Sequence, residues 1–176
     1  MTATLARPWL AAQTGAEHSW RFDPKLSGAV CSPTWATTSS TRSSGQRGSV
    51  ATEVAAIRAR SEAGLETVTA AALRLTGGVP AMIGVSGVTP GSTFELCYYG
   101  DEGWLRATDV GLDSDPGRRV AVQPLPQAAE SIDGNFVSAV LRDTPLCCSA
   151  EEALDTVRLL EAIGRSVATG QLVRLA

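Results

Sequence analysis

From Ala51 onward the apolar residues fall into short runs of period two, separated by glycine-rich turns. A strand sends successive side chains to opposite faces, so this spacing predicts half-buried strands. In Thr52–Arg60, Val54, Ala56 and Arg58 fall on one side, and Glu53, Ala55 and Ile57 on the other. Glu66–Leu75 is a second run, with Val68, Ala70 and Ala72 on one face. Gly77 and Gly78 then supply a turn that tolerates positive φ. Val79–Val88 and Ser92–Tyr99 follow, Gly100–Gly103 makes a tight turn, and Trp104–Thr108 is a fifth run. Arg118–Gln123 is a possible sixth. Ahead of this block, Thr2–Arg7 reads as a short strand stopped by Pro8. Short strands with such turns predict an antiparallel meander, one face buried and one wet.

The last third changes to helical spacing. Phe136, Val137, Val140 and Leu141 share one helix face. Ser149 with Glu152 is a capping box, and Ala153, Leu154, Val157, Leu160 and Ile163 build an apolar stripe behind it. Gly170 stands where a C-terminal cap belongs, and Leu172–Leu175 reads as a closing edge strand. Strands followed by helices predict an α+β fold: an open antiparallel β-sheet with helices packed on one face. Residues 51–176 form this unit together with the leading strand and Trp-Arg segment of residues 1–28. Residues 29–50 are an irregular Ser/Thr-rich loop with few apolar side chains and no periodicity.

The 176 residues suit one domain and need no staples to fold. Hydrophobic residues make up 44%, and the net charge is −3 with no Lys/Arg run, which argues against nucleic acid as the partner. Lys25 is the only lysine; the other basic residues are Arg, a usage that suggests a GC-rich genome. The cysteines Cys31, Cys97, Cys147 and Cys148 form no C-x-x-C pair, and His18 is the only histidine, so no zinc spacing exists. No signal-peptide pattern and no stretch near ~20 apolar residues is present, so the expectation is a cytoplasmic protein that does not cross a membrane.

Three segments carry a family resemblance. The segment SWRFDPKLSG at 19–28 resembles a W-R-x-D-P-x-x-S-G stretch. FELCYYGDEGWLRATD at 94–109 resembles a strand, G-x-x-G, strand hairpin. Residues 135–175 resemble an ending of helix, Pro turn, capped helix and Ser-x-x-x-Gly-x-x-Val. Together they are similar to the carboxy-terminal half of the glucose–fructose oxidoreductase / inositol dehydrogenase / rhizopine-catabolism (Gfo/Idh/MocA) family. The resemblance implies a parent that moves a hydride between NAD or NADP and a sugar or polyol carbinol. In that parent a Rossmann half binds the dinucleotide, and the open sheet forms the substrate wall and the oligomer interface. No strand–G-x-G-x-x-G–helix unit and no Lys-Pro motif occurs in this sequence. The chain therefore reads as a truncated member that binds no cofactor itself and is inactive alone. The alternative is a non-enzymatic module that pairs with itself or with a separate Rossmann subunit.

In the family, Asp-x-Gly-x-His-x-x-Asp follows the glycine run and supplies the proton-transfer pair. Here Thr34, Ala36, Thr38 and Thr41 stand at that spacing. Every Thr codon begins A-C, and in the neighbouring frame those letters can end Asp or His codons. Residues 29 to about 50 thus read as a compensated frameshift, against the plainer reading of a drifted Ser/Thr-rich loop. Either way the catalytic set is empty, because a Thr hydroxyl cannot replace an imidazole as base near neutral pH.

Trp20 and Arg21 are the candidate substrate-binding residues. The resemblance places them near the cleft, where an Arg fork can bind hydroxyl or carboxylate oxygens. The competing reading is a Trp packed on the sheet edge with Arg21 paired to Asp23. His18 reads as a surface residue. Cys147 and Cys148 read as packing in an apolar turn, since vicinal cysteines rarely form a strain-free disulfide. Asp101, Glu102, Asp113 and Asp115 read as solvated turn residues rather than metal ligands. Val68, Ala70, Ala72, Met82, Gly84 and Ser86 predict a flat, small-residue sheet face, and hence a homo-oligomer through that face.

Overall fold

The computed structural model describes residues 1–8, 50–62, 64–115 and 131–175. In chain order the elements are β1 (Thr2–Ala6), β2 (Ala51–Arg60), β3 (Glu66–Leu75), β4 (Pro80–Ser86), β5 (Thr93–Gly100), β6 (Gly103–Thr108) and β7 (Gly111–Ser114). Helices α1 (Ile132–Arg142) and α2 (Ala150–Thr169) follow, then β8 (Val173–Arg174). The strands form one eight-stranded sheet in the order β7-β6-β5-β1-β4-β3-β2-β8. Every pairing is antiparallel except β1 with β4, which run parallel. The chain-leading strand is thus inserted between β4 and β5 instead of sitting at an edge. A purely consecutive meander, as the turn spacing predicts, would leave β4 beside β5.

The turns follow their chemistry. Gly77 and Gly78 take φ of 79° and 81° in the β3–β4 connection, where a residue with a Cβ is strained. The β5–β6 hairpin turns at Asp101 and Glu102 and closes on Gly103, whose φ is 136°. A Cβ on Gly103 would fall on the Asp115 carboxylate, so only glycine fits this backbone.

The core lies between the sheet and α2. Period two puts Val54, Ala71, Leu73, Ala81, Ile83 and Val85 on one face, and Leu159, Ala162 and Ile163 of α2 cover them. Burying each large apolar side chain contributes roughly 1.5–3 kcal/mol. The helix begins at the Ser149–Glu152 capping box and ends at Gly170 with φ 67°, as the sequence predicts. Its stripe is shifted, however. Leu154 and Val157 are exposed, whereas Leu159, Ala162, Ile163 and Ser166 are buried. Residues 150–154 of α2 are all exposed, so apolar spacing there meets no core among the described residues.

Helix α1 departs further from expectation. Phe136, Val137, Val140 and Leu141 form one face as predicted, yet all four are exposed. The buried side is polar. Asn135 donates from Nδ2 to the Pro145 carbonyl at 3.1 Å and accepts from the Cys147 N–H at 2.8 Å, which fixes the α1–α2 connection. Cys147 and Cys148 are free thiols and exposed, so they do not pack in an apolar turn.

At the β2 edge, Glu53 holds β8 in place. It accepts from Arg74 Nε at 2.8 Å and Arg174 Nε at 3.3 Å. The hydrogen bond from Arg74, with Arg174 beside it, keeps the Glu53 carboxyl below its ordinary range. Beyond β8 the edge is finished by Ser166, which accepts from the Ala56 N–H at 2.9 Å and donates to the Gln171 carbonyl at 2.7 Å.

Candidate functional site

Two surfaces of the sheet carry the candidate chemistry. On the face opposite α2, the register lines up Ile57, Ala70, Gly84, Thr4 and Glu95 in one row. Ala55, Ala72, Met82, Thr2, Cys97, Arg106 and Asp113 form the next row. Small side chains make this face smooth, and it is wet among the described residues: Ile57 is 75% and Met82 61% exposed. A concavity of about 510 Å³ lies against it, lined by Thr4, Ile57, Ala70, Met82 and Gly84. The expected small-residue face is therefore present, with Val68 and Ser86 half-buried at its end.

Toward the β7 edge this face becomes polar. Arg106 donates to Asp113 Oδ2 from Nη2 at 2.6 Å and from Nε at 3.2 Å, and stands 5.9 Å from the Trp104 ring centroid. Asp113 lies in β7 and not in a solvated turn, the expectation from sequence. Asp115 accepts from the Trp104 N–H at 3.1 Å, so it closes the β6–β7 edge rather than standing solvated. Asp101 and Glu102 are exposed turn residues, as expected.

On the α2 side, the row that begins with Arg58 continues through Thr69, Val85, Leu5 and Phe94. Arg58 follows Val54 and Ala56 inward by period two, so a guanidinium enters the core face. Its Nη1 donates to Glu66 Oε1, and its Nε donates to Thr69 Oγ1 at 3.2 Å. The two side chains are 2% and 5% exposed. Arg60, mostly exposed, adds a weaker contact to Glu66 at 3.7 Å. Burial raises the Glu66 pKa, and the positive charge and hydrogen bond of Arg58 only partly offset this. Arg58 Nη2 and Glu66 Oε2 are buried and have no hydrogen-bond partner among the described residues.

The sequence-predicted site is placed differently. Trp20, Arg21, His18 and the Ser/Thr-rich stretch with its displaced motif all lie outside the described residues, as does the possible strand Arg118–Gln123. The Arg58–Glu66 pair was not singled out by sequence reading. Its signal was present: an Arg at an inward position of a period-two strand demands a buried acid, and Glu66 opens the next strand.

No protein-family model matches the chain, and no curated protein matches it. Solved structures do. An aldose-aldose oxidoreductase from Caulobacter crescentus, complexed with glycerol, superposes with TM-score 0.76 at 16% identity, over 99% of this chain and 55% of that one. A levoglucosan dehydrogenase in complex with NADH and L-sorbose gives 0.74 at 16%, over 99% and 57%. The WlbA dehydrogenase from Bordetella pertussis, in complex with NADH and UDP-GlcNAcA, gives 0.71 at 21%, over 100% and 55%. The chain thus spans little more than half the length of these relatives. The chain therefore has the fold found in just over half of each of these oxidoreductases, as its resemblance to the carboxy-terminal half of the Gfo/Idh/MocA family implies.

Proposed function

We propose that this chain is the substrate-side domain of a sugar- or polyol-type oxidoreductase, contributing a binding wall and no nucleotide site. The observation that carries the reading is the coverage. Nearly the whole chain superposes on about half of enzymes whose structures hold NADH, a sugar or both. The dinucleotide-binding turn that such chemistry needs does not occur in the sequence. NAD or NADP would be held by a separate nucleotide-binding domain, and the 176 residues alone would not transfer a hydride. Saturation-transfer NMR of the chain with a panel of sugars and cyclitols tests the reading. Transfer to at least one at millimolar affinity is expected; none across the panel overturns it.

A second reading, a non-enzymatic assembly module, is favoured by the uncovered apolar faces. Ile57, Ala70, Ala72 and Met82 on the sheet, and the α1 stripe through Leu141, are exposed. Exposed apolar surface of this kind favours association. The smooth sheet face suits a second copy of the same chain. Light scattering coupled to size exclusion should find a dimer, and a clean monomer at tens of micromolar would rule out the sheet-mediated pair.

A further inference from the structure

Strand β2 is ten residues long, but β8 pairs with it only at Glu53 and Val54. In a ladder, alternate residues turn both main-chain groups to the same edge. The Thr52 carbonyl accepts from the Leu175 N–H at 2.9 Å, and the Ala56 N–H donates to Ser166 Oγ at 2.9 Å. The even-numbered residues of β2 therefore face outward, away from β3. Past Ala56 these are Arg58 and Arg60, and no strand pairs with them on that side among the described residues. The Arg58 side chain is 2% exposed, yet the residue as a whole is half-buried, so its exposure lies in the main chain. An open row of N–H and C=O groups is a template for another strand.

The surroundings of this row select the strand that suits it. On the open face, Ile57 and Leu172 are exposed, and both line the concavity of about 510 Å³, which reaches round the β2 edge to residues 170–172. Apolar side chains fit there. The charge beside the row is positive. The exposed Arg60 contacts Glu66 at 3.7 Å, but Arg58 already holds that carboxylate. At the other end, the exposed Arg174 shares Glu53 with Arg74. Each carboxylate thus serves two guanidiniums, which leaves this edge positive in a chain of net charge −3. A second copy pairing through the same strand would set like charges opposite each other, which is destabilising. We propose that the open stretch of β2 binds an extended polypeptide segment that alternates apolar with acidic residues, adding a strand in line with β8. Main-chain bonds to Arg58 and Arg60 hold the segment, apolar side chains enter the concavity beside Ile57, and carboxylates meet Arg60. This edge is separate from the smooth sheet face, and its use does not depend on the substrate-side reading.

The test uses the full chain, labelled with ¹⁵N. It is titrated with an acetylated and amidated hexapeptide of alternating valine and glutamate, and separately with the valine–lysine counterpart. The Arg58 and Arg60 amide signals should shift with the glutamate peptide at a dissociation constant of about 0.1–1 mM, and about tenfold more weakly with the lysine peptide. Hydrogen exchange at both amides should be fast in the free chain and slow about tenfold or more on binding. Arg60→Glu, at an exposed position, should reverse the preference between the two peptides. Equal affinity for both peptides, shifts that spare Arg58 and Arg60, or no shift up to about 10 mM would refute the proposal. Slow exchange at both amides in the free chain would refute it too, because the edge would already be covered. Protection that grows with protein concentration alone would overturn the choice of occupant in favour of a second copy.

Discussion

Removing one member of the Arg58–Glu66 pair should cost far more than removing both. With Arg58→Met, the Glu66 carboxylate stays 5% exposed and keeps only Arg60, which is 3.7 Å away and itself 58% exposed. Breaking a buried pair costs about 3–5 kcal/mol, whereas replacing both partners by apolar groups of similar volume is often neutral or stabilising. The low end applies to Arg58→Met, since burial already raises Glu66 and a proton can neutralise it. We expect about 3 kcal/mol at pH 7.5, shrinking at pH 5.5 as Glu66 takes up that proton. Glu66→Gln strands a guanidinium that cannot lose its charge, so about 4 kcal/mol is expected with little pH dependence. Arg58→Met/Glu66→Leu should fall within about 1 kcal/mol of wild type. The sign in the wild type follows from the same shift. A carboxyl raised in the fold contributes stability in full below its ordinary range and loses it as pH rises through the raised value. Urea unfolding followed by circular dichroism reads all four proteins. Single-variant costs below about 1 kcal/mol would mean the pair behaves as a surface bridge, and the burial argument would fail.

Other perturbations probe the scaffold. Ser166→Ala orphans the Ala56 N–H and the Gln171 carbonyl together. It should cost about 2 kcal/mol by urea midpoint, and a loss under about 0.5 kcal/mol would show the edge is held otherwise. Gly103→Ala puts a Cβ on Asp115 at φ 136° and should lower stability by about 2 kcal/mol. An unchanged thermal midpoint there would contradict the β6–β7 closure.

The sequence made β3 legible because its buried and exposed positions alternate, and β5 and β6 legible because the Gly100–Gly103 turn separates them. It also showed the α2 caps, which depend on Ser149, Glu152 and Gly170 alone. It did not show β7, where Asp113 is paid back only by a cross-strand partner, Arg106, that spacing cannot reveal. Nor did it show that the α1 stripe faces outward, since an apolar face says nothing of what covers it. Insertion of β1 beside β4 is a long-range choice with no local signal. The candidate site divides the same way. The smooth face was legible from small residues at alternate positions, and the inward Arg58 called for an acid, but only the β2–β3 register brings Glu66 to it. Trp20 and Arg21 rest on the resemblance and lie outside the described residues.

We propose that this polypeptide supplies a binding wall for the substrate and leaves the dinucleotide to another domain. Titration of the purified chain with NADH, followed by nicotinamide fluorescence, tests it most directly. No saturable change is expected up to about millimolar cofactor; a dissociation constant in the micromolar range would overturn the proposal.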